Sequence, residues 1–218
     1  MKRYSFSSIF TEAFRDNLGW EKAWTKRQPK KEYEIIIVGG GGHGLATAYY
    51  LAKNFNITDI AVIEKGWIGG GNTGRNTTII RSNYLQESSI GIYEKSRFLY
   101  ETLSQDLNYN IMFSPRGVLM LCQTEHELRA MKRTSHANRI NGVDTKMVTP
   151  EEVKEIVPII NIDGPRFPVL GALWQPRGGT ARHDAVAWGY ARKCSDFGID
   201  IIEQCEVIGV KKKREKIV

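Results

Sequence analysis

The chain has 218 residues, of which 41% are hydrophobic and 25% are charged, with a formal net charge of +7. This is ordinary globular composition. The three cysteines, Cys122, Cys194 and Cys205, are too widely spaced for a metal site and imply no disulfide framework, so they fit reduced thiols in a cytoplasmic chain. We expect no membrane partner, because no apolar run reaches membrane-spanning length and the first residues make no convincing signal peptide. The basic run Lys211–Arg214 lacks interleaved aromatic residues, which favours a solvated turn over a nucleic-acid site.

Residues 1–30 are interpreted as an N-terminal extension that ends in a linker around Pro29. Trp20 and Trp24 have i, i+4 spacing, which predicts a short helix packed on the chain's own core. A contact with another subunit is the alternative interpretation of the two indoles.

A dinucleotide-binding fingerprint follows the extension. A β-branched run leads into a Gly-x-Gly-x-x-Gly turn, a helix comes next, and a second short apolar run ends on an acidic residue. These parts occupy residues 35–38, 39–44, 45–52 and 61–64. A glycine pattern alone is weak evidence, but here the strands, the helix and the acid are all in register. The segment predicts a bound FAD or NAD.

Each residue of the fingerprint has a physical role. Gly39 allows the tight turn, Gly41 lets the backbone approach a pyrophosphate, and Gly44 lets the helix pack closely on the strand. The helix N-terminus offers N–H groups and a positive dipole end to the phosphates. Glu64, at the end of the second strand, is predicted to accept hydrogen bonds from both ribose hydroxyls.

The next stretch contains five glycines in the nine residues 66–74, which suits a close approach of backbone to a ligand. Beyond it we predict four helices, at 87–107, 125–140, 150–156 and 184–197. We predict a hairpin of strands 111–113 and 118–121, and single strands at 170–174 and from 199 to about 207. Residues 211–216 are predicted to form a charged turn, with 217–218 starting a return strand. An isolated half hairpin leaves its ladder unpaired, so we expect the chain to be an N-terminal fragment of a longer protein.

A second cluster of chemistry-bearing residues is Arg182-His183-Asp184. A histidine beside an aspartate is usually a capped or core histidine, and composition alone favours that interpretation. The residues around Arg81 likewise indicate no specific function by themselves, because an arginine after two isoleucines is commonly a surface residue or an ion-pair partner.

Four segments together resemble the β subunits of heterotetrameric sarcosine oxidases, and the resemblance extends over nearly the whole chain. They are residues 39–52, 66–84, 105–109 and 182–184. The fingerprint is shared by many families, whereas Asn76–Tyr84 and Arg182–Asp184 are much more discriminating.

The resemblance implies an α/β fold: a Rossmann-like parallel FAD-binding sheet with helices on both faces, plus the start of a mostly antiparallel substrate domain. We assign 1–30 to the extension, 31–110 to the first part of the FAD-binding domain, 111–172 to the substrate domain and 173–218 to the return to the FAD-binding domain.

The resemblance also implies two flavins: FAD bound noncovalently, and FMN attached covalently to His183. We infer that Arg182 stabilises negative charge on the flavin or its phosphate and that Asp184 orients the imidazole. By the same resemblance Arg81 binds the substrate carboxylate, which its guanidinium fork matches bidentately. The expected FAD contacts are Gly39, Gly41, Gly42, His43, Gly44, Glu64, Asn72, Thr77, Ile79 and, on the adenine side, Val207.

The implied reaction is oxidative demethylation of sarcosine to glycine and formaldehyde with hydrogen peroxide formation. The implied partners are the other sarcosine oxidase subunits, with tetrahydrofolate bound to one of them. Three alternatives stay open at this stage. They are a proline or dimethylglycine dehydrogenase on the same scaffold, a noncatalytic flavin-binding subunit, and a nicotinamide dehydrogenase.

Overall fold

The structure is a computed structural model that describes residues 5–20, 22–25, 27–213 and 216–217. The chain forms two compact units. Unit 1 comprises residues 1–76, 107–110 and 183–218, and unit 2 comprises 77–106 and 111–182. The units are discontinuous in sequence, and the domain boundaries at 30, 110 and 172 stay predictions.

The helices are α1 (Phe6–Ala13), α2 (Gly42–Phe55), α3 (Glu87–Asp106), α4 (Glu125–Ile140), α5 (Pro150–Ile156) and α6 (His183–Asp196), with a 3-10 helix at Asn72–Arg75. The strands are β1 (Ile35–Val38), β2 (Ile60–Ile63), β3 (Ile79–Ile80), β4 (Val118–Cys122), β5 (Lys146–Val148), β6 (Gly171–Gln175), β7 (Gly179–Thr180), β8 (Asp200–Ile202), β9 (Lys212–Lys213) and β10 (Lys216–Ile217). The predicted helices over 87–107, 125–140, 150–156 and 184–197 are confirmed to within one residue at each end.

Unit 1 is built on a three-stranded parallel sheet of order β1-β2-β8, which confirms the α/β class. Helix α2 buries Leu45, Ala48, Tyr49 and Ala52, the i, i+3, i+4, i+7 face that packs inward. Helices α2 and α6 pack against each other, with the rings of Tyr49 and Tyr190 5.4 Å apart.

Helices were expected on both faces of this sheet. Ile36 and Val38 alternate with the inward residues of β1, and they are 52% and 65% exposed. These two side chains are therefore not covered in the part of the chain that the structure describes, and helices on both faces of the sheet stay a prediction.

Unit 2 contains an antiparallel sheet of order β4-β6-β5 and a second antiparallel pair, β3 with β7. This agrees with the predicted start of a mostly antiparallel domain. Helices α4 and α5 both begin with a capping box, formed by Thr124 with Glu127 and by Thr149 with Glu152. Each box satisfies two N–H groups that the first helical turn leaves without partners.

The hairpin predicted from 111–113 and 118–121 is wrong. Met112 has φ +54, in the left-handed region, and the segment forms no strand. Both segments pair instead with later residues: the N–H of Arg182 donates to the Ile111 carbonyl, and β4 pairs with β6. Long-range pairing thus replaces the local turn that Pro115 and Gly117 suggested.

Three further predictions about the ends of the chain need correction. Trp20 and Trp24 are not helical, and the helix of the extension lies earlier, at α1. The last long strand ends at Ile202, because Gln204 takes φ +58, so Val207 lies beyond it. Strands β9 and β10 form a short hairpin within the charged segment; Val218 lies outside the described residues. Among the residues described, no helix has the length and apolar character needed to cross a membrane.

Candidate functional site

The glycine turn of unit 1 has the backbone that its sequence predicts. Gly39 has φ +111, which a residue with a side chain rarely adopts, and its N–H donates to the Ile63 carbonyl at 2.8 Å. A Cβ on Gly44 would lie only 2.0 Å from the Gly39 carbonyl oxygen. Helix α2 starts at Gly42, with Gly41 at its N-cap and no side-chain cap. The turn thus brings the N-terminus of α2 against the end of β1, with a glycine at the N-cap.

Glu64 joins this turn to the glycine-rich loop that follows β2. Its Oε2 accepts the Gly40 N–H and its Oε1 accepts the Gly66 N–H, both at 2.8 Å. A carboxylate oxygen has more than one lone pair, so both oxygens retain acceptor capacity. The ribose contact predicted for Glu64 is compatible with this placement, and the two backbone bonds add a role in shaping the turn.

The glycine-rich loop packs directly on the turn. The Gly69 N–H donates to the Gly40 carbonyl at 3.1 Å, and the Gly42 N–H donates to Thr73 Oγ1 at 2.9 Å. Asn72 begins the 3-10 helix in this loop and is exposed. His43 is also exposed, on the first turn of α2. The structure therefore gathers the turn, Glu64 and the loop in one place.

The other predicted flavin contacts are placed elsewhere in the chain. Thr77 and Ile79 belong to unit 2, where both side chains are exposed. Val207 lies in unit 1 after β8 and is partly exposed. Their contact with a flavin stays a prediction.

His183 is the first residue of α6 and is half-buried. Its Nδ1 is enclosed by protein and has no hydrogen-bond partner among the described residues. Asp184 uses Oδ1 to accept the Ala185 N–H at 2.8 Å, and it does not bond the histidine Nδ1, so its inferred orienting role is unsupported at that nitrogen. Arg182 is exposed. A buried imidazole nitrogen without a partner is unusual and requires an explanation.

Arg81 lies in unit 2 and is held from two sides. Its Nη1 donates to Asn83 Oδ1 at 2.8 Å, and its guanidinium lies 4.2 Å from the centre of the Tyr84 ring. The Tyr84 ring stacks on the Tyr93 ring, with centroids 4.2 Å apart. The backbone carbonyl of Tyr84 accepts a hydrogen bond from the Asn138 side-chain amide at 2.5 Å. Within the described ranges no hydrogen bond reaches the Nε–Nη2 edge of the guanidinium, the edge that a carboxylate would pair with.

A buried polar network supports the backbone next to Arg81. Ser82 is fully buried; its N–H donates to Gln175 Oε1 at 3.0 Å, and its hydroxyl accepts from Gln175 Nε2 at 2.6 Å. The same hydroxyl donates to Glu94, which pairs with the buried Arg97. The hydrogen bond from Arg97 holds the pKa of Glu94 below its usual value, against the opposing effect of burial.

The family comparison decides the class of protein. Residues 34–218 match the family described as "DAO: FAD dependent oxidoreductase". The chain belongs to the FAD-dependent oxidoreductases. This membership excludes the nicotinamide dehydrogenase that the fingerprint left open.

Curated relatives and solved structures agree with the family. The chain is 64% identical over 218 residues to "Sarcosine oxidase subunit beta" of Rhodobacter capsulatus and 51% identical over 216 residues to the same subunit of Rhizobium meliloti. The two alignments include 100% and 99% of this chain but only 53% and 52% of those proteins. The chain therefore spans about half the length of these relatives. An L-proline dehydrogenase from P. horikoshii superimposes with a TM-score of 0.78 at 32% identity, over 87% of this chain and 48% of that one. A glycine oxidase from Bacillus cereus, 22% identical with a TM-score of 0.73 over 85% of this chain and 50% of that one, shares the fold.

The residues of unit 1 fit FAD. Gly44 leaves no room for a side chain between helix and strand, the N-cap residue Gly41 has no side chain to cap α2, and Glu64 bonds the Gly40 N–H of the turn. The start of α2 would hold the pyrophosphate through its N–H groups and dipole, and Glu64 would hold the ribose.

Sequence reasoning missed several residues that the structure brings to these sites. Thr73 contacts the turn through its hydroxyl, and Glu203 bonds the Ile68 N–H of the loop. Asn83 and Tyr84 were noted only as part of a similar segment. The signal available for Thr73 was its place among the loop glycines, and for Asn83 its position two residues after Arg81. Glu203 had none, because Trp24 and Ile68 are distant from it in the sequence.

Proposed function

We propose that the full-length protein is the β subunit of a heterotetrameric sarcosine oxidase. It oxidatively demethylates sarcosine to glycine and formaldehyde and forms hydrogen peroxide. The observation that carries this proposal is the identity of 64% and 51%, along the whole chain, to two proteins called sarcosine oxidase subunit beta. Further sarcosine oxidase subunits, one of them binding the tetrahydrofolate that captures formaldehyde, complete the proposal, and we place the enzyme in the cytoplasm.

The chain's own contribution to the reaction is to bind and orient the amine. Arg81 offers the Nε–Nη2 edge to the sarcosine carboxylate, while Asn83 and Tyr84 hold the guanidinium at the opposite edge and over its face. FAD, when bound, accepts the hydride equivalent that leaves the N-methyl carbon. The amine binds neutral, so no general base is required from this chain.

We further propose that FMN is attached covalently to His183. The position of His183 supports this, because it is the first residue of α6 and its side chain is only half-buried. Arg182, the residue immediately before His183, would supply a positive charge near the flavin or its phosphate.

Amine-dependent flavin reduction tests the substrate. The full-length protein, purified with its partner subunits, is mixed anaerobically with sarcosine, proline or dimethylglycine while the flavin absorbance is followed. Sarcosine should bleach the flavin fastest. A faster reaction with proline would favour the second candidate, a proline dehydrogenase, which the 32% identity to the P. horikoshii enzyme supports. No bleaching by any amine would indicate a noncatalytic flavin-binding subunit.

Intact-mass analysis tests the covalent flavin. The denatured wild-type protein should carry one FMN adduct, and His183→Asn should carry none. The matched control, His136→Asn, changes an exposed histidine of α4 that has no expected flavin contact, and it should keep the adduct. An adduct that persists in His183→Asn would move the covalent site to another residue, and an unmodified wild type would leave a single-flavin amine dehydrogenase.

A further inference from the structure

The segment before the family-matched region is fastened to the last strand of the parallel sheet. The family match begins at residue 34. Trp24 donates its indole N–H to Glu203 Oε2 at 3.1 Å, just beyond β8. Tyr33 donates its hydroxyl to Asp200 Oδ2 at 2.9 Å, and Arg27 donates to the Gly198 carbonyl at 3.2 Å. The extension therefore runs along β8 through specific polar contacts.

Glu203 connects this extension to the glycine-rich loop. While Oε2 accepts from Trp24, Oε1 accepts the backbone N–H of Ile68 at 3.0 Å. Ile68 is buried and packs closely against Gly40. A Cβ added to Gly40 would lie only 2.8 Å from Cδ1 of Ile68. Because the Gly69 N–H also bonds the Gly40 carbonyl, the position of Ile68 bears directly on the glycine turn.

The backbone beside Glu203 supports the same loop. The N–H of Gln204 donates to the Gly66 carbonyl at 3.0 Å, and the N–H of Cys205 donates to the Glu64 carbonyl at 3.0 Å. The chain after β8 thus lies beside the start of the loop, and Glu203 is the side chain in that stretch that reaches Ile68.

We propose that Glu203 is a positioning residue for FAD binding. It holds the loop at 66–74 against the glycine turn, and the indole N–H of Trp24 sets the direction of its carboxylate. A charged acceptor with both oxygens engaged by donors from different segments has one favoured orientation. A binding site whose supporting residues are locked loses less freedom when the ligand binds. The inference rests on the flavin binding of the family and is independent of the amine that is oxidised.

The test measures FAD affinity in the full-length protein after removal of its noncovalent flavin. Trp24→Phe keeps an aromatic ring but removes the N–H donor, and we expect the dissociation constant for FAD to rise about 3- to 10-fold. The matched control is Trp20→Phe, because the Trp20 N–H donates to Asn17 Oδ1 within the extension itself. This control should leave the FAD affinity unchanged.

A second variant shows whether the effect passes through Glu203. Glu203→Gln keeps one acceptor oxygen and replaces the other with a donor, so one of the two bonds is lost. Its loss of FAD affinity should be similar, and the double variant Trp24→Phe/Glu203→Gln should lose little more than either single variant. Backbone hydrogen exchange at residues 66–74 should be faster in both single variants, with exchange in β2 unchanged.

Several results would overturn the proposal. An unchanged FAD dissociation constant in both Trp24→Phe and Glu203→Gln, with only a lower thermal midpoint of the flavin-free protein, would show that Glu203 merely anchors the extension. Additive losses in the double variant would show that the two residues act separately. An equal loss in Trp20→Phe would assign the effect to the packing of the whole extension.

Discussion

Asn83 and Tyr84 fix the orientation of the Arg81 guanidinium, which we propose binds the substrate carboxylate, and an ammonium cannot reproduce that geometry. Arg81→Lys keeps the charge but loses the planar fork and the stacking on Tyr84. We expect the KM for sarcosine to rise about tenfold or more, because charge-assisted hydrogen bonds contribute about 1.5–3 kcal/mol each. Steady-state kinetics with sarcosine and with an N-methyl amine that lacks a carboxylate measures the difference.

The control for this experiment is Arg116→Lys, which changes an exposed arginine of the same unit. Only Arg81→Lys should discriminate between the two amines. A loss of the same size for both amines would give Arg81 a structural role in place of carboxylate binding.

The Glu64 carboxylate accepts two backbone N–H groups and is also predicted to bind the FAD ribose. Glu64→Gln leaves one acceptor oxygen for two backbone N–H donors, Gly40 and Gly66, and removes the charge that would strengthen a ribose contact. The dissociation constant for FAD should rise about tenfold or more. Flavin-fluorescence titration measures it, with exposed Glu206→Gln as the control. Equal affinities for wild type and Glu64→Gln would place the ribose elsewhere.

At the scale of elements, the junction of β1 and α2 depends on Gly44. The added methyl of Gly44→Ala would meet the Gly39 carbonyl at 2.0 Å, so helix or turn must move. Overpacking of this kind costs about 1–3 kcal/mol, and we expect FAD binding to weaken by more than about tenfold. Titration with FAD and thermal unfolding of the same samples separate the two effects.

Gly91 in α3 provides the opposite case within a helix. Nothing lies within 4 Å of a Cβ built there, so Gly91→Ala should stabilise the protein by about 0.5–1 kcal/mol and leave FAD affinity unchanged. Tolerance of alanine at both positions would show that the turn can shift without loss of the dinucleotide site.

Helices with strong local sequence signals form where the sequence predicts them. The capping boxes that begin α4 and α5 are both formed from residues three apart, so the sequence alone marks the start of each helix. The prediction of a strand at 111–113 was wrong because a strand requires a partner. The turn residues that follow it suggested pairing with 118–121, which does not occur. The segment lies against residues 180–182 instead, some seventy positions later in the chain.

For the molecule as a whole, the lowered carboxylate pKa values set the direction of its pH dependence. The hydrogen bond from Arg97 lowers the pKa of Glu94; burial raises that of Glu101, but hydrogen bonds from Arg177 and Arg97 lower it overall. A carboxylate with a lowered pKa stabilises the folded state fully above its ordinary value, 4.5 here. That stabilisation is lost as the pH falls through the folded-state pKa.

We therefore expect the chain to lose stability in acid below a pH of about 4.5, where its positive charge also grows and adds self-repulsion. Urea unfolding at several pH values measures this. Glu94→Gln should make the dependence shallower, whereas exposed Glu206→Gln should not. A Glu94→Gln protein with the wild-type pH slope would show that the network around Arg97 does not couple to protonation.

The sequence by itself determined the dinucleotide fingerprint, most helix limits and the resemblance that points to a flavin. These depend on short-range features: a glycine at a tight turn, an acid at a strand end, a cap three residues from its partner. Tertiary structure alone decided that Glu203 joins Trp24 to Ile68, that Gln175 bonds Ser82, and that His183 Nδ1 has no partner among the described residues. Hydrogen bonds between distant residues depend on which strands become neighbours, and no local pattern encodes that choice.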